Sequence, residues 1–122
     1  MTTNNESLIK NGKHILYYDN GNIHIDGFWN NNTLLKSIEY YDNKKLKFQG
    51  NYYEDNVRHG DFYNKYGELY YEGIIDKNNI RKSCGSSYEN NNIYKEIWYN
   101  EKLELKESIK KIILTLSLYM IL

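Results

Sequence analysis

The sequence predicts an all-β fold: an elongated, single-layer antiparallel β-meander of successive hairpins. Three observations predict it. Glycines recur at 27, 50 and 73, preceded two positions earlier by Ile25, Phe48 and Tyr71 and followed two positions later by Trp29, Tyr52 and Ile75. Self-similarity at a fixed period marks one supersecondary unit laid down repeatedly. Within a unit, apolar and polar residues alternate: Leu46, Phe48, Gly50 and Tyr52 against Lys47, Gln49 and Asn51. Period-two alternation is the signature of a half-buried strand. Between these segments lie Asp19-Asn20-Gly21-Asn22 and Asp42-Asn43-Lys44-Lys45, and Asn and Gly accept the positive φ that tight hairpins require.

Taken in order, residues 1–7 are polar and expected to be disordered. A repeat domain is expected over residues 8–106, with units at about 17–39, 40–62, 63–86 and 87–106. It opens partway through a unit: Asn11-Gly12-Lys13-His14 has the character of a second half, and Ile15-Leu16-Tyr17-Tyr18 reads as a strand. In the first full unit Ile23, Ile25, Gly27 and Trp29 share one face, while His24, Asp26 and Phe28 share the other. Asn30-Asn31-Asn32 then turns the chain back. The third unit has Gly67 at its turn and Leu69, Tyr71, Gly73 and Ile75 on the apolar face. The fourth is worn. Ser83-Cys84-Gly85-Ser86-Ser87 reads as adding one residue, so that Tyr88, Ile93, Ile97 and Tyr99 fall one place late and Ile97 takes the glycine's position. Leu34, Val57, Ile80 and Leu103 keep the period across all four. Residues 107–122 form an apolar tail. It is expected to cap the last strand as a helix shielding an open edge, to enter a membrane, or to be an unstructured or truncated end; its apolar run is short against the roughly 20 residues a spanning helix needs.

Composition narrows the function classes. Sixteen basic and sixteen acidic residues give a net charge of zero, so no overall field draws the chain to nucleic acid, and none is expected as a partner. Lys44, Lys45 and Lys47 do lie among Phe48 and Tyr52, a mixture that suits single strands, but these aromatics alternate inward. A single cysteine, Cys84, excludes a disulfide framework and paired-cysteine zinc sites. The opening MTTNNESLIK lacks an apolar core, which makes the cytoplasm the expected compartment. Absence of proline and alanine, with abundant Asn, Lys, Ile and Tyr, fits an A+T-rich genome.

Phe48-Gln49-Gly50-Asn51-Tyr52, followed by Val57-Arg58-His59-Gly60-Asp61-Phe62, resembles the MORN repeat, with its consensus YxGxWxxGxxHGxG at a period of about 23. Tyr71-Glu72-Gly73 matches the opening YEG, and Ile25-Asp26-Gly27-Phe28-Trp29 matches xxGxW. The segment YYDNGNIHIDG at 17–27 is similar to the YwqK-type variant of bacterial antitoxin-like proteins and to variants in large viruses. The resemblance spans residues 17–105. It departs where Asn32 and Asn56 replace an expected glycine, and only the second unit keeps His-Gly. It implies a twisted single-layer sheet, in a family whose members serve as scaffolds, membrane-associated modules and appendages to enzymes.

Gly27, Trp29, Gly50, Tyr52, Gly60 and Gly73 are the structural positions of this pattern, with aromatic rings of neighbouring strands expected over the glycines. Tyr18, Tyr41, Phe48, Tyr52, Tyr71 and Trp98 are the interaction candidates, since such side chains offer large rigid contact area. His14, His24 and His59 lack metal-ligand spacing, and Cys84 has no orienting base. Asp26, Glu54, Asp61, Glu72 and Glu96 are expected at turns or on the solvated face. No catalytic set, cofactor site or metal site emerges. The expected function is therefore a non-catalytic interaction or scaffold module that binds a protein partner through its Tyr-rich face or strand edges, a homo-oligomer being one form. Alternatives are a membrane-peripheral scaffold, with Lys106, Lys110 and Lys111 at the headgroups, and an antitoxin-like or carbohydrate-binding repeat protein.

Overall fold

The computed structural model describes residues 10–109. They form one open antiparallel sheet of nine strands in strictly sequential order. The strands are β1 (Gly12–Tyr17), β2 (Ile23–Asn30), β3 (Thr33–Tyr40), β4 (Leu46–Tyr52), β5 (Arg58–Tyr63), β6 (Leu69–Ile75), β7 (Arg81–Glu89), β8 (Asn92–Tyr99) and β9 (Lys102–Ser108). The all-β meander that the sequence predicts is the fold observed. The N-terminal segment 1–7 and the apolar run 112–122 lie outside the described residues.

The turns explain the hairpins. β2–β3, β7–β8 and β8–β9 are joined by two-residue turns, Asn31-Asn32, Asn90-Asn91 and Asn100-Glu101, with positive φ at both positions. Such turns match the right-handed twist of the flanking strands, and asparagine tolerates the conformation best after glycine. β1–β2, β3–β4, β5–β6 and β6–β7 share a longer design. In it Asn20, Asn43, Asn64 or Asp76 accepts a backbone N–H two residues on through its side-chain oxygen, at 2.8–3.0 Å.

Two tyrosines lock neighbouring turns together. The Tyr18 hydroxyl donates to the Tyr40 carbonyl at 2.6 Å, and one repeat later Tyr41 donates to the Tyr63 carbonyl at 2.7 Å. Burial raises both hydroxyls above the ordinary tyrosine pKa, with neighbouring acids adding to the effect at Tyr18. Tyr41→Phe removes one such bond and is expected to cost about 0.5–1.5 kcal/mol in urea unfolding. Tyr66→Phe, at an exposed turn side chain, should cost nothing measurable.

Register carries the repeat through the sheet. Ile25 faces Glu39 in β2–β3, and Phe48 faces Phe62 in β4–β5, both partners advanced by 23. At the next step Tyr71 meets Ser87 instead of residue 85. Gly73 alone stands opposite Ser83-Cys84-Gly85, so β7 bulges by two residues where the sequence reading expected one. The tight Asn90-Asn91 turn absorbs the excess, and Tyr94 faces Ser108 back in phase. Tyr94, Glu96 and Trp98 therefore occupy the places of Tyr71, Gly73 and Ile75. Glu96, not Ile97, stands at the glycine position, which corrects the expected shift of this unit.

A single layer buries side chains by laying them along itself. His14, Gly27, Ser37, Gly50, Gly60 and Gly73 form one cross-strand row. Beside it run the large residues: Trp29, Phe48, Phe62, Tyr71 and Ile75 are buried, Phe48 and Tyr71 at 0% exposure. The expectation that rings of neighbouring strands cover the glycines is corrected in part. A Cβ on Gly27 would lie 2.7 Å from the Trp29 ring, and one on Gly73 would lie 2.8 Å from Tyr71. Each ring thus folds over the glycine two residues away on its own strand. Phe48 covers Gly50 in the same way, and Tyr71 also reaches across to Gly85 on β7. Ring contacts then chain Tyr52, Phe48, Phe62 and Tyr71 together at centroid distances of 5.7, 4.8 and 6.2 Å.

Candidate functional site

The face bearing Phe48 is the inner face, and its opposite the outer. On the inner face, two guanidinium groups complete the cover. Arg58 lies 5.6 Å from the Phe48 ring centroid and 5.2 Å from that of Phe62, and Arg81 lies 4.3 Å from that of Tyr71. These are the only arginines in the chain, and they stand 23 residues apart. Guanidinium over a ring face is electrostatically favourable and keeps water from the ring.

Two carboxylates are buried here. Glu39, 7% exposed, accepts hydrogen bonds from Ser37 Oγ at 2.8 Å and from the Tyr52 hydroxyl. Burial, reinforced by that bond to Glu39, drives the Tyr52 hydroxyl far above its ordinary pKa. Glu96 is 1% exposed, so its expected place on the solvated face is corrected: it sits in the core face because its glycine position points inward. Arg81 Nη1 meets both its oxygens, at 2.9 and 3.0 Å, and Trp98 Nε1 donates at 2.8 Å. Burial alone would raise the Glu96 carboxyl, but the neighbouring Ser87, Trp98 and Arg81 outweigh it and hold it below the ordinary carboxylate range. Tyr71, whose hydroxyl has no hydrogen-bond partner among the described residues, is pushed up to about 12 by burial and by Glu96.

The six interaction candidates thus divide. Phe48 and Tyr71 are fully buried core, and the expectation that they present a contact surface is corrected: their rings are spent on their own glycines. Tyr18 and Tyr41 are tied into turns, while Tyr52 and Trp98 are half-buried and anchored to carboxylates. His24 stacks on Tyr18 at 4.2 Å, His14 packs edge-on to Trp29 at 6.0 Å, and Cys84 is exposed on the β7 bulge. Among the described residues no three His, Cys, Asp or Glu side chains are arranged to hold a metal, and no helix is long and apolar enough to cross a membrane.

The outer face carries the surface that the sequence reading passed over. An open groove of about 560 Å³ is lined by Lys13, Asp26, Phe28, Lys36, Ile38 and Gln49 from β1–β4. Phe28 is 44% exposed and Ile38 37%, and the Lys36 ammonium lies 5.6 Å from the Phe28 ring. The signal was there: Ile15, Phe28 and Ile38 are apolar residues in the polar phase of three successive strands. The chain matches no known protein-family model, no curated protein and no solved structure.

Proposed function

We propose that this chain is a MORN-type repeat protein acting as a non-catalytic protein-interaction module, and that its docking surface is the outer groove of β1–β4. The 23-residue recurrence of Gly27, Gly50 and Gly73 supports the repeat assignment. The observation that carries the function is the exposure of Phe28 and Ile38, diagonal neighbours across β2 and β3, in an open groove, with Lys13, Asp26, Lys36 and Gln49 around them. An apolar centre with a polar rim is the anatomy of a protein interface, and an exposed aromatic at its middle is the usual energetic anchor. An open trough suits a protein surface better than an enclosed small molecule.

Affinity capture with the wild type and with Phe28→Ser/Ile38→Ser tests this. The double variant is expected to lose about tenfold in retention of the captured partner, the scale of one anchor residue, while its melt stays near wild type because both side chains are half in solvent. Equal retention by the two proteins would sink the reading. Light scattering on the purified chain decides whether the partner is a second copy.

A further inference from the structure

The junction of the third and fourth units contains its own recognition event. Arg81 lies over Tyr71 and grips the carboxylate of Glu96 with one guanidinium nitrogen at 2.9 and 3.0 Å. Subtracting 23 from each residue gives Arg58, Phe48 and Gly73. Arg58 lies over Phe48 as Arg81 lies over Tyr71, but the residue that would answer it has no side chain. Among the described residues Arg58 makes one side-chain hydrogen bond, to Asn79 Oδ1 at 3.1 Å, and no ion pair. A guanidinium has five N–H donors, so most of its fork is unused.

The surroundings fit an incoming anion. Arg58 lines a pocket of about 360 Å³ with Tyr41, Lys47, Phe62, Ile75 and Arg81, and no carboxylate is among the lining residues. Lys47, over the Tyr41 ring at 5.4 Å, likewise has no ion pair among the described residues. Phe48 and Phe62 hold the Arg58 guanidinium from beneath, so little side-chain freedom remains to be lost when the fork is filled.

We infer that the Arg58 pocket is a receptor for a carboxylate side chain of a protein partner, which takes the role toward Arg58 that Glu96 takes toward Arg81. This rests on the reading of the chain as a protein-interaction module and gives it a second contact, on the inner face opposite the outer groove, with a preference for an acidic segment. Carboxylate is chosen over other oxyanions because the same scaffold, one repeat on, already holds one.

Having two arginines makes the test clean. In wild-type protein the arginine Nε–H groups give two nitrogen-15 signals, assigned with Arg58→Lys, and the probe is acetyl-tetraglutamate amide, with acetyl-tetraglutamine amide and inorganic phosphate as comparisons. The Arg58 signal is expected to move saturably with the glutamate peptide only, and further than that of Arg81, which lines the same pocket but whose fork Glu96 occupies. Arg58→Lys should weaken the peptide about tenfold, since lysine keeps the charge but loses the planar fork. If neither arginine signal moves in the wild type, that overturns the inference without any variant having to fold. So does an equal response to the glutamine peptide, or saturation by phosphate at lower concentration than by the glutamate peptide. Should the Arg58 signal stay still while the Phe28/Ile38 variant still loses its partner, the module stands and this site does not.

Discussion

Phe48→Ala is expected to destabilise the sheet by about 3–5 kcal/mol, the range for truncating a fully buried phenylalanine. The ring is at 0% exposure, touches the Tyr52 and Phe62 rings, lies over Gly50 and carries Arg58 above it. In a single layer no second sheet can move in to fill the hole, so relaxation offsets little of the loss. A small domain has only about 5–15 kcal/mol of stability in total, so the variant should sit near its unfolding threshold. Urea denaturation of Phe48→Ala beside Phe48→Leu checks this, with the leucine variant losing about 1.5 kcal/mol or less. A loss below about 1 kcal/mol for alanine, the level of an ordinary surface change, would mean that the inner face is not the core.

Arg81→Ala is expected to cost about 3 kcal/mol at neutral pH, the lower end for breaking a buried pair. The lower end applies because Arg81 keeps 27% exposure while Glu96 keeps 1%. The pH dependence separates charge from packing. In the wild type the folded Glu96 carboxyl lies below its ordinary value of 4.5. Its stabilising contribution is therefore fully present above that value and is lost as pH falls through the lower folded value. In the variant the lowering by Arg81 is gone while burial, Ser87 and Trp98 remain, so the carboxyl lies higher than in the wild type and acid protonates it more readily, relieving the penalty. The gap between wild type and variant should thus narrow on acidification, measured by urea unfolding at neutral and mildly acidic pH. A pH-independent gap would assign the loss to the guanidinium's stacking on Tyr71.

The meander was legible because its determinants are local. Gly27, Gly50 and Gly73, the alternation around them and the asparagine turns each act within a few residues. The fourth unit was misread because Glu96 replaces a glycine and is intelligible only beside Arg81, fifteen residues away and one strand over. The two extra residues of the β7 bulge were undercounted because the compensating turn at Asn90-Asn91 lies further on. Alternation tells which side a residue is on, not whether its ring lies flat on its own strand, so Phe48 and Tyr71 read as a binding face in the sequence and are core in the fold. Phe28 and Ile38 were legible as exceptions to the polar phase, and Arg58 and Arg81 as a recurring pair. Both signals are fainter than the rings that dominate the pattern.

The strict strand order has a mechanical consequence. Every extensive strand-to-strand contact joins consecutive strands, the Tyr18 and Tyr41 bonds between alternate turns aside, and Lys10 and Ile109, the limits of the described residues, lie on opposite lateral edges of the sheet. Tension applied between them loads one ladder at a time, with its hydrogen bonds opened in succession like a zipper instead of sheared together. Each hairpin released lengthens the chain while its neighbours keep their partners, because stability in such an array is a sum of nearest-neighbour terms. The sheet would yield strand by strand and re-form from whichever hairpins survive, as an extensible spring does.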